Sequence, residues 1–242
     1  METRGSFDAA KWMEIKLAPR VFSLSQYYNI LIEDVSVLKF LINSAMYAGA
    51  ILLGQALVIP AMAYALSRFR FPGRDLIFFA VIMLMLLPFQ VTMVPNVLTL
   101  RSLGLLNSAW AVILPICFAP FYIFLLRQFM VGLPREILEA AEIDGAGTFR
   151  CFVHVALPIS RPILGAAVAL SFADCWNLVE QPLAYLAEQP RLLPLSVMFN
   201  QLTETSSGVE FAGAALYILP ALFVYLYFQK DILSGIQLTE LK

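Results

Sequence analysis

The sequence predicts an all-α, polytopic membrane protein with about five transmembrane helices. Of its 242 residues, 60% are hydrophobic and only 14% are charged, where a soluble domain is about half apolar and a quarter charged. Five runs approach the roughly 20 apolar residues that a helix needs to cross a bilayer. They do not alternate with a period of two. Backbone groups in lipid must be satisfied within their own segment, so the runs read as helices rather than as barrel strands.

The first run covers 40–66 and opens FLINSAMYAGAILLG. Its Asn43 and Gln55 are polar and fit interhelical hydrogen bonds. The second, 76–98, opens LIFFAVIMLMLLP, and the third, 109–126, contains no charge at all. The fourth, 163–183, holds Asp174 and Glu180. Six residues apart on one helix, these two differ by about 600° in direction and need not share a face. Ionisable groups inside a span are costly and point to function, so Asp174, Trp176 and Asn177 are candidates for the translocation path or for a subunit interface. The fifth run is 211–228. Prolines 60, 88, 95, 115, 120, 182 and 220 lie in or near these runs. They fit either simple tolerance or bends around a path that opens and closes.

Several classes are disfavoured. The net charge of −1 offers nothing to nucleic acid. Cys117, Cys151 and Cys175 have no metal spacing and read as small buried hydrophobes. The single His154 builds no metal site, no phosphate loop of the G-x-x-x-x-G-K-[ST] type is present, and no H-E-x-x-H occurs. A membrane-embedded enzyme therefore lacks its convergent groups. A secondary transporter is expected to show two similar halves with matched interrupted helices, which the five runs do not.

Arg68, Arg70 and Arg74 follow the first run, and Arg127, Arg135, Arg150 and Arg161 flank or occupy the segment after the third, whereas the opposite loops carry only Arg101 and Arg191. Basic loops face the cytoplasm. The segment after the third run and the C-terminus are then cytoplasmic, and the N-terminal tail is outside. That tail and the start of the first run carry Arg4, Lys11, Lys16, Arg20 and Lys39, which fits an outside location poorly and suggests a further helix upstream.

Between the third and fourth runs lies a polar island, 134–162, beginning PREILEAAEIDGAGTFR. Pro134 and Glu136 suit a helix start. Gly145 and Gly147 suit its stop. Thr148 is a candidate cap for a second short helix, 149–155, ending before Pro158. Two short helices with so little apolar surface form either a docking knob for another protein or an amphipathic element lying on the membrane.

Glu139-Ala140-Ala141-x-x-Asp144-Gly145-Ala146, with Leu157-Pro158 and Arg161-Pro162 behind it, resembles the EAA signature of binding-protein-dependent ABC importer permeases. Asn43-Ser44, Ala63-Tyr64-Ala65-Leu66-Ser67-Arg68 with Phe71, Gly104-Leu105-Leu106-Asn107-Ser108 and Trp176-Asn177 are similar to the carbohydrate branch of that family, the maltose and glycerol-phosphate type. The resemblance covers roughly 26–235. It implies an inner-membrane permease that performs no chemistry itself. It implies as partners a second homologous permease, a cytoplasmic ATPase dimer that binds the ATP and Mg, and an external solute-binding protein. The island becomes a coupling helix seated in an ATPase cleft. Glu139 pairs with a basic group there, Ala140, Ala141 and Gly145 allow close approach, Asp144 holds the turn, and Leu138 and Ile143 form an apolar plug. Two departures stand out. The family usually has six spans, with one helix before the equivalent of Tyr27-Tyr28. It also tends to end in a glycine- and lysine-bearing tail, where this chain ends LTELK. The expected layout is an extracytoplasmic segment 1–37, a permease domain 38–235 with the coupling loop at 133–158, and a cytoplasmic tail 236–242.

Overall fold

The computed structural model describes residues 25–28, 35–201 and 207–240. Most of the expected N-terminal segment and the last two residues of the tail lie outside that set. Among the described residues every regular element is helical.

After a single turn, α1 (Ser25–Tyr28), comes α2 (Val35–Arg68), 34 residues long and continuous through Pro60. At about 1.5 Å per residue it exceeds the roughly 30 Å hydrocarbon core by several turns. The second run is not one straight helix. It divides into α3 (Arg74–Leu86) and α4 (Phe89–Ser102), which meet at 110°. The cause is local. Leu87, immediately before Pro88, is extended at φ −76°, ψ 126°, because the proline ring disfavours the helical region for the residue ahead of it. The third run is also interrupted ahead of a proline, without the sharp bend, and remains one span. Phe118 and Ala119 are extended ahead of Pro120, between α5 (Ala109–Cys117) and α6 (Pro120–Val131).

The polar island forms α7 (Arg135–Ile143), α8 (Thr148–Cys151), a π-helical turn Phe152–Ala156 and α9 (Leu157–Ile159). Its second part therefore continues through Pro158 instead of ending before it. The cap is Gly147, not Thr148. The fourth run becomes α10 (Arg161–Trp176), bent by 74° from the segment before it. It stops at Trp176 because Asn177 Nδ2 bonds back to the Ala173 carbonyl at 2.8 Å, a local bond that competes with the next turn. Glu180 consequently sits on a separate helix, α11 (Glu180–Tyr185), and shares no helical wheel with Asp174. A 3₁₀ turn (Pro190–Leu192), α12 (Leu195–Gln201) and α13 (Ser207–Glu240) complete the chain. The last helix is continuous through Pro220 and takes up 236–240, which were expected as a tail.

Three helical stretches are each long and apolar enough to cross a membrane, and counting each bent pair as one span brings the total to five. Among the described residues two large apolar clusters and a smaller one around Val37 and Leu195 form the core. One large cluster gathers Tyr47, Ile51, Val112, Trp176 and Tyr185, and the other Ala63, Tyr122, Ile123, Leu126 and Met130. Gly54 lies so close to Cys117 that a Cβ there would overlap its Sγ, and Gly165 is equally close to Asp231. These two glycines let α2 meet α5 and α10 meet α13.

Candidate functional site

The polar island, the candidate coupling element, is built at the end of the molecule where α2 and α6 finish. Pro134 enters α7 with an extended ψ of 131°. The exit turn is closed by backbone bonds. Asp144 N–H donates to Ala140 O, Gly145 N–H to Glu142 O and Ala146 N–H to Ala141 O, at 3.0, 3.0 and 2.9 Å. Gly145 has φ +83°, the left-handed value that ends a helix and favours glycine. Cys151 is buried beneath the turn, and its Sγ lies 3.4 Å from Ala146 O.

This geometry sorts the expected residues. Glu139, Ala140, Asp144 and Gly145 are exposed, and Ala141 is half-buried. Ile143 is 87% exposed, whereas Leu138 is only 7% exposed and turns into the chain itself. Leu138 is thus an anchor of the element, and the outward apolar groups are Ile143 and Phe149, the latter 75% exposed. The turn is closed by main-chain atoms, in which the Asp144 side chain takes no part.

Arg68 ties the element to the bundle. Its Nη2 donates to Met130 O at 3.0 Å and to Leu133 O at 3.2 Å. A cation at a helix C-terminus satisfies carbonyls that have no partner within the helix. Arg68, Arg70, Arg74, Arg135, Glu139 and Glu142 line one cavity between α7 and the loop after α2. From the sequence Arg68 stood as loop charge and as part of the family-like stretch 63–68, with no contact assigned to it. The available signal was its place just after the apolar run 40–66, where a basic side chain reaches terminal carbonyls.

The polar groups inside the spans divide into two sets. Gln55 Nε2 donates to Ile116 O at 3.0 Å, and Ser171 Oγ donates to Gln55 Oε1. Asn43 Nδ2 donates to Arg191 O and Leu193 O at 3.0 and 2.9 Å. Gln55 therefore joins helices, as its position suggested, and Asn43 holds a loop. Of the candidate pathway residues, Trp176 is 3% exposed. Its ring stacks on Phe172 and its Nε1 donates to Tyr217 O at 3.0 Å. Tyr217 answers with its hydroxyl, which donates to Trp176 O at 2.9 Å and to Asn177 Oδ1 at 2.8 Å. This clamp fastens α10 to α13. Asp174 is exposed and accepts from the Tyr122 hydroxyl at 2.6 Å. Asp174 and Asn177 thus remain on an open face while Trp176 packs inside. Tyr122 and Tyr217 were overlooked. A buried tyrosine in an apolar run needs a partner for its hydroxyl, and that was the readable signal. Among the described residues, no group of three or more His, Cys, Asp or Glu side chains is placed to hold a metal ion.

A family model described as "Binding-protein-dependent transport system inner membrane component" matches residues 38–231. The chain is 34% identical over 209 residues to a diacetylchitobiose uptake system permease protein of Streptomyces coelicolor, across 84% of this chain and 69% of the relative. It is 29% identical over 234 residues to an arabinooligosaccharides transport system permease protein of Bacillus subtilis, across 95% and 83%. It is 32% identical over 200 residues to an sn-glycerol-3-phosphate transport system permease protein of Yersinia pestis, across 81% and 71%. In fold it is similar to a chain of a bacterial ABC transporter involved in the import of the acidic polysaccharide alginate, with a TM-score of 0.76 and 24% identity over 88% of this chain and 83% of that one.

Proposed function

The chain belongs to the family of binding-protein-dependent transport system inner membrane components, and from that membership we propose that it moves a carbohydrate-like solute, delivered by an external binding protein, through a path it forms with a second permease. The named solutes of its relatives are a chitin disaccharide, arabinooligosaccharides and a polyol phosphate, and they support this class. ATP and Mg belong to two cytoplasmic ATPase subunits, and this chain contributes the coupling element.

The observation that carries the reading is the shape of that element. Glu139, Ala140 and Ile143 face outward from the short helix α7, whose Leu138 is locked inward, and Phe149 is exposed on α8 beside it. An exposed apolar tip beside small residues on a rigid mount suits insertion into a cleft of another protein. The open polar face at Asp174 and Asn177 supports a path-lining role, since a carboxylate facing lipid is costly. Asp174→Asn keeps the acceptor for Tyr122 and removes the charge. It is expected to raise the KM of uptake while the ATPase stays in the complex; an unchanged KM removes Asp174 from the path.

The decisive experiment is purification through a C-terminal tag, reconstitution into liposomes, and uptake of labelled disaccharides and glycerol phosphate. ATP-dependent uptake in a complex containing an ATPase and a second permease is the expected result. Uptake by this chain alone, driven by an ion gradient, would make it a secondary transporter instead.

A further inference from the structure

Helix α2 is hydrogen-bonded through side chains at both of its ends, to the close of α6 and the residue ahead of α7 at one and to the stretch 191–195 at the other. At one end Arg68 Nη2 holds Met130 O and Leu133 O, the close of α6 and the residue ahead of Pro134. At the other end three side chains, one turn or less apart, hold the stretch 191–195. Asn43 bonds the carbonyls of Arg191 and Leu193, the Tyr47 hydroxyl donates to Leu192 O at 2.8 Å, and Ser44 Oγ accepts from the Leu195 N–H at 2.8 Å. Tyr47 and Ser44 are buried at this clamp. Between the two ends α2 runs without interruption, in contrast to the broken second and third runs.

On the reading given above, we infer that Arg68 is the positioning residue that joins the coupling element to α2, and that α2 carries its displacement to the 191–195 segment at the opposite end. The guanidinium suits this task. Its donors are fixed in one plane and remain charged, so one group bridges two carbonyls at set directions, whereas a lysine ammonium on a flexible stem fixes neither. The contact lies at the entry to α7, so a shift of α7 displaces Leu133 and is felt first at Arg68. Packed helices transmit such shifts as rigid bodies rather than absorbing them. The clamp of Asn43, Ser44 and Tyr47 then converts a displacement of α2 into one of the 191–195 segment.

The test uses the assembled complex, with the three native cysteines replaced and a reporter introduced as Gln189→Cys beside the clamped segment. Labelling by a membrane-impermeant maleimide is followed with and without ATP plus orthovanadate, which traps the ATPases. With Arg68 present, trapping is expected to change the labelling rate by about fivefold or more. Arg68→Gln is expected to erase that change while the ATPase still co-purifies and hydrolyses ATP, and Arg68→Lys to restore only part of it. If Arg68→Gln fails to assemble, Asn43→Ala cuts the same link at its other end and is expected to erase the change there. A full response in the assembled variants overturns the link through Arg68. Absence of any ATPase from the parent complex overturns the importer reading, and this inference falls with it.

Discussion

Glu139 sits on the exposed side of α7 and also borders the cavity lined by Arg68, Arg70, Arg74 and Arg135. Glu139→Lys reverses the charge that the proposed docking pairs with a basic group on the ATPase and adds a fifth cation to the cavity. The expected outcome is a loss of co-purified ATPase on the order of tenfold, with membrane insertion unchanged. Parent-level ATPase recovery in that variant would remove Glu139 from the docking surface. A different residue tests the packing. Gly54→Ala drives a methyl into Cys117 Sγ, and overpacking of this kind costs about 1–3 kcal/mol. Thermal unfolding in detergent should show the loss, and Cys117→Ala in the same chain should recover part of it. At this scale Gln55 was legible because a polar group in an apolar run must find a partner, whereas Asn43 found its partners in the 191–193 stretch rather than on a neighbouring span. The roles of Trp176 and Leu138 were not legible, because burial depends on what α13 and the end of α2 place beside them.

The elements show where hydropathy stops being informative. It located all five apolar runs, yet it carries no direction, so the 110° turn at Pro88 and the break at Pro120 stayed hidden. Proline content did not distinguish them either. Pro60 and Pro220 sit inside unbroken helices of 34 residues, and Pro88 and Pro120 stand at ends. The difference lies in whether the residue ahead of the proline is held helical by its neighbours or released to the extended conformation. The turn that ends α7 was readable because its requirement is local. Gly145 adopts φ +83°, which a Cβ disfavours by about 1–2 kcal/mol. Gly145→Ala is therefore expected to loosen the end of α7. Faster amide hydrogen exchange at 144–147, together with weaker ATPase retention, would report it. Unchanged exchange would mean that the turn is held by more than its glycine.

Across the whole molecule the helices sort polar segments to two ends. Arg68 brings the close of α2 to Leu133 at one end. At the other, Asn43 reaches Arg191, Asn107 Nδ2 bonds Glu188 Oε2 at 3.0 Å, and the Asn107 N–H donates to Tyr185 O at 2.9 Å. Among the described residues that connect the spans, the first end carries Arg70, Arg135 and Arg150, with Arg68 and Arg74 at the adjoining helix ends, and the second has Arg101 and Arg191. Basic residues near span ends are retained on the cytoplasmic side, so the arginine-rich end, with α7, faces the cytoplasm, the side on which the proposed ATPase docking requires it. Two single cysteines read this directly in a background without the native three. Gln189→Cys should react with an impermeant maleimide in intact spheroplasts, and Asp144→Cys only after the membrane is opened. The reverse pattern would invert the orientation and leave α7 where no cytoplasmic ATPase reaches it. Labelling of both from outside would break the odd number of crossings that separates Asp144 from Gln189, and α10 would then no longer be a span.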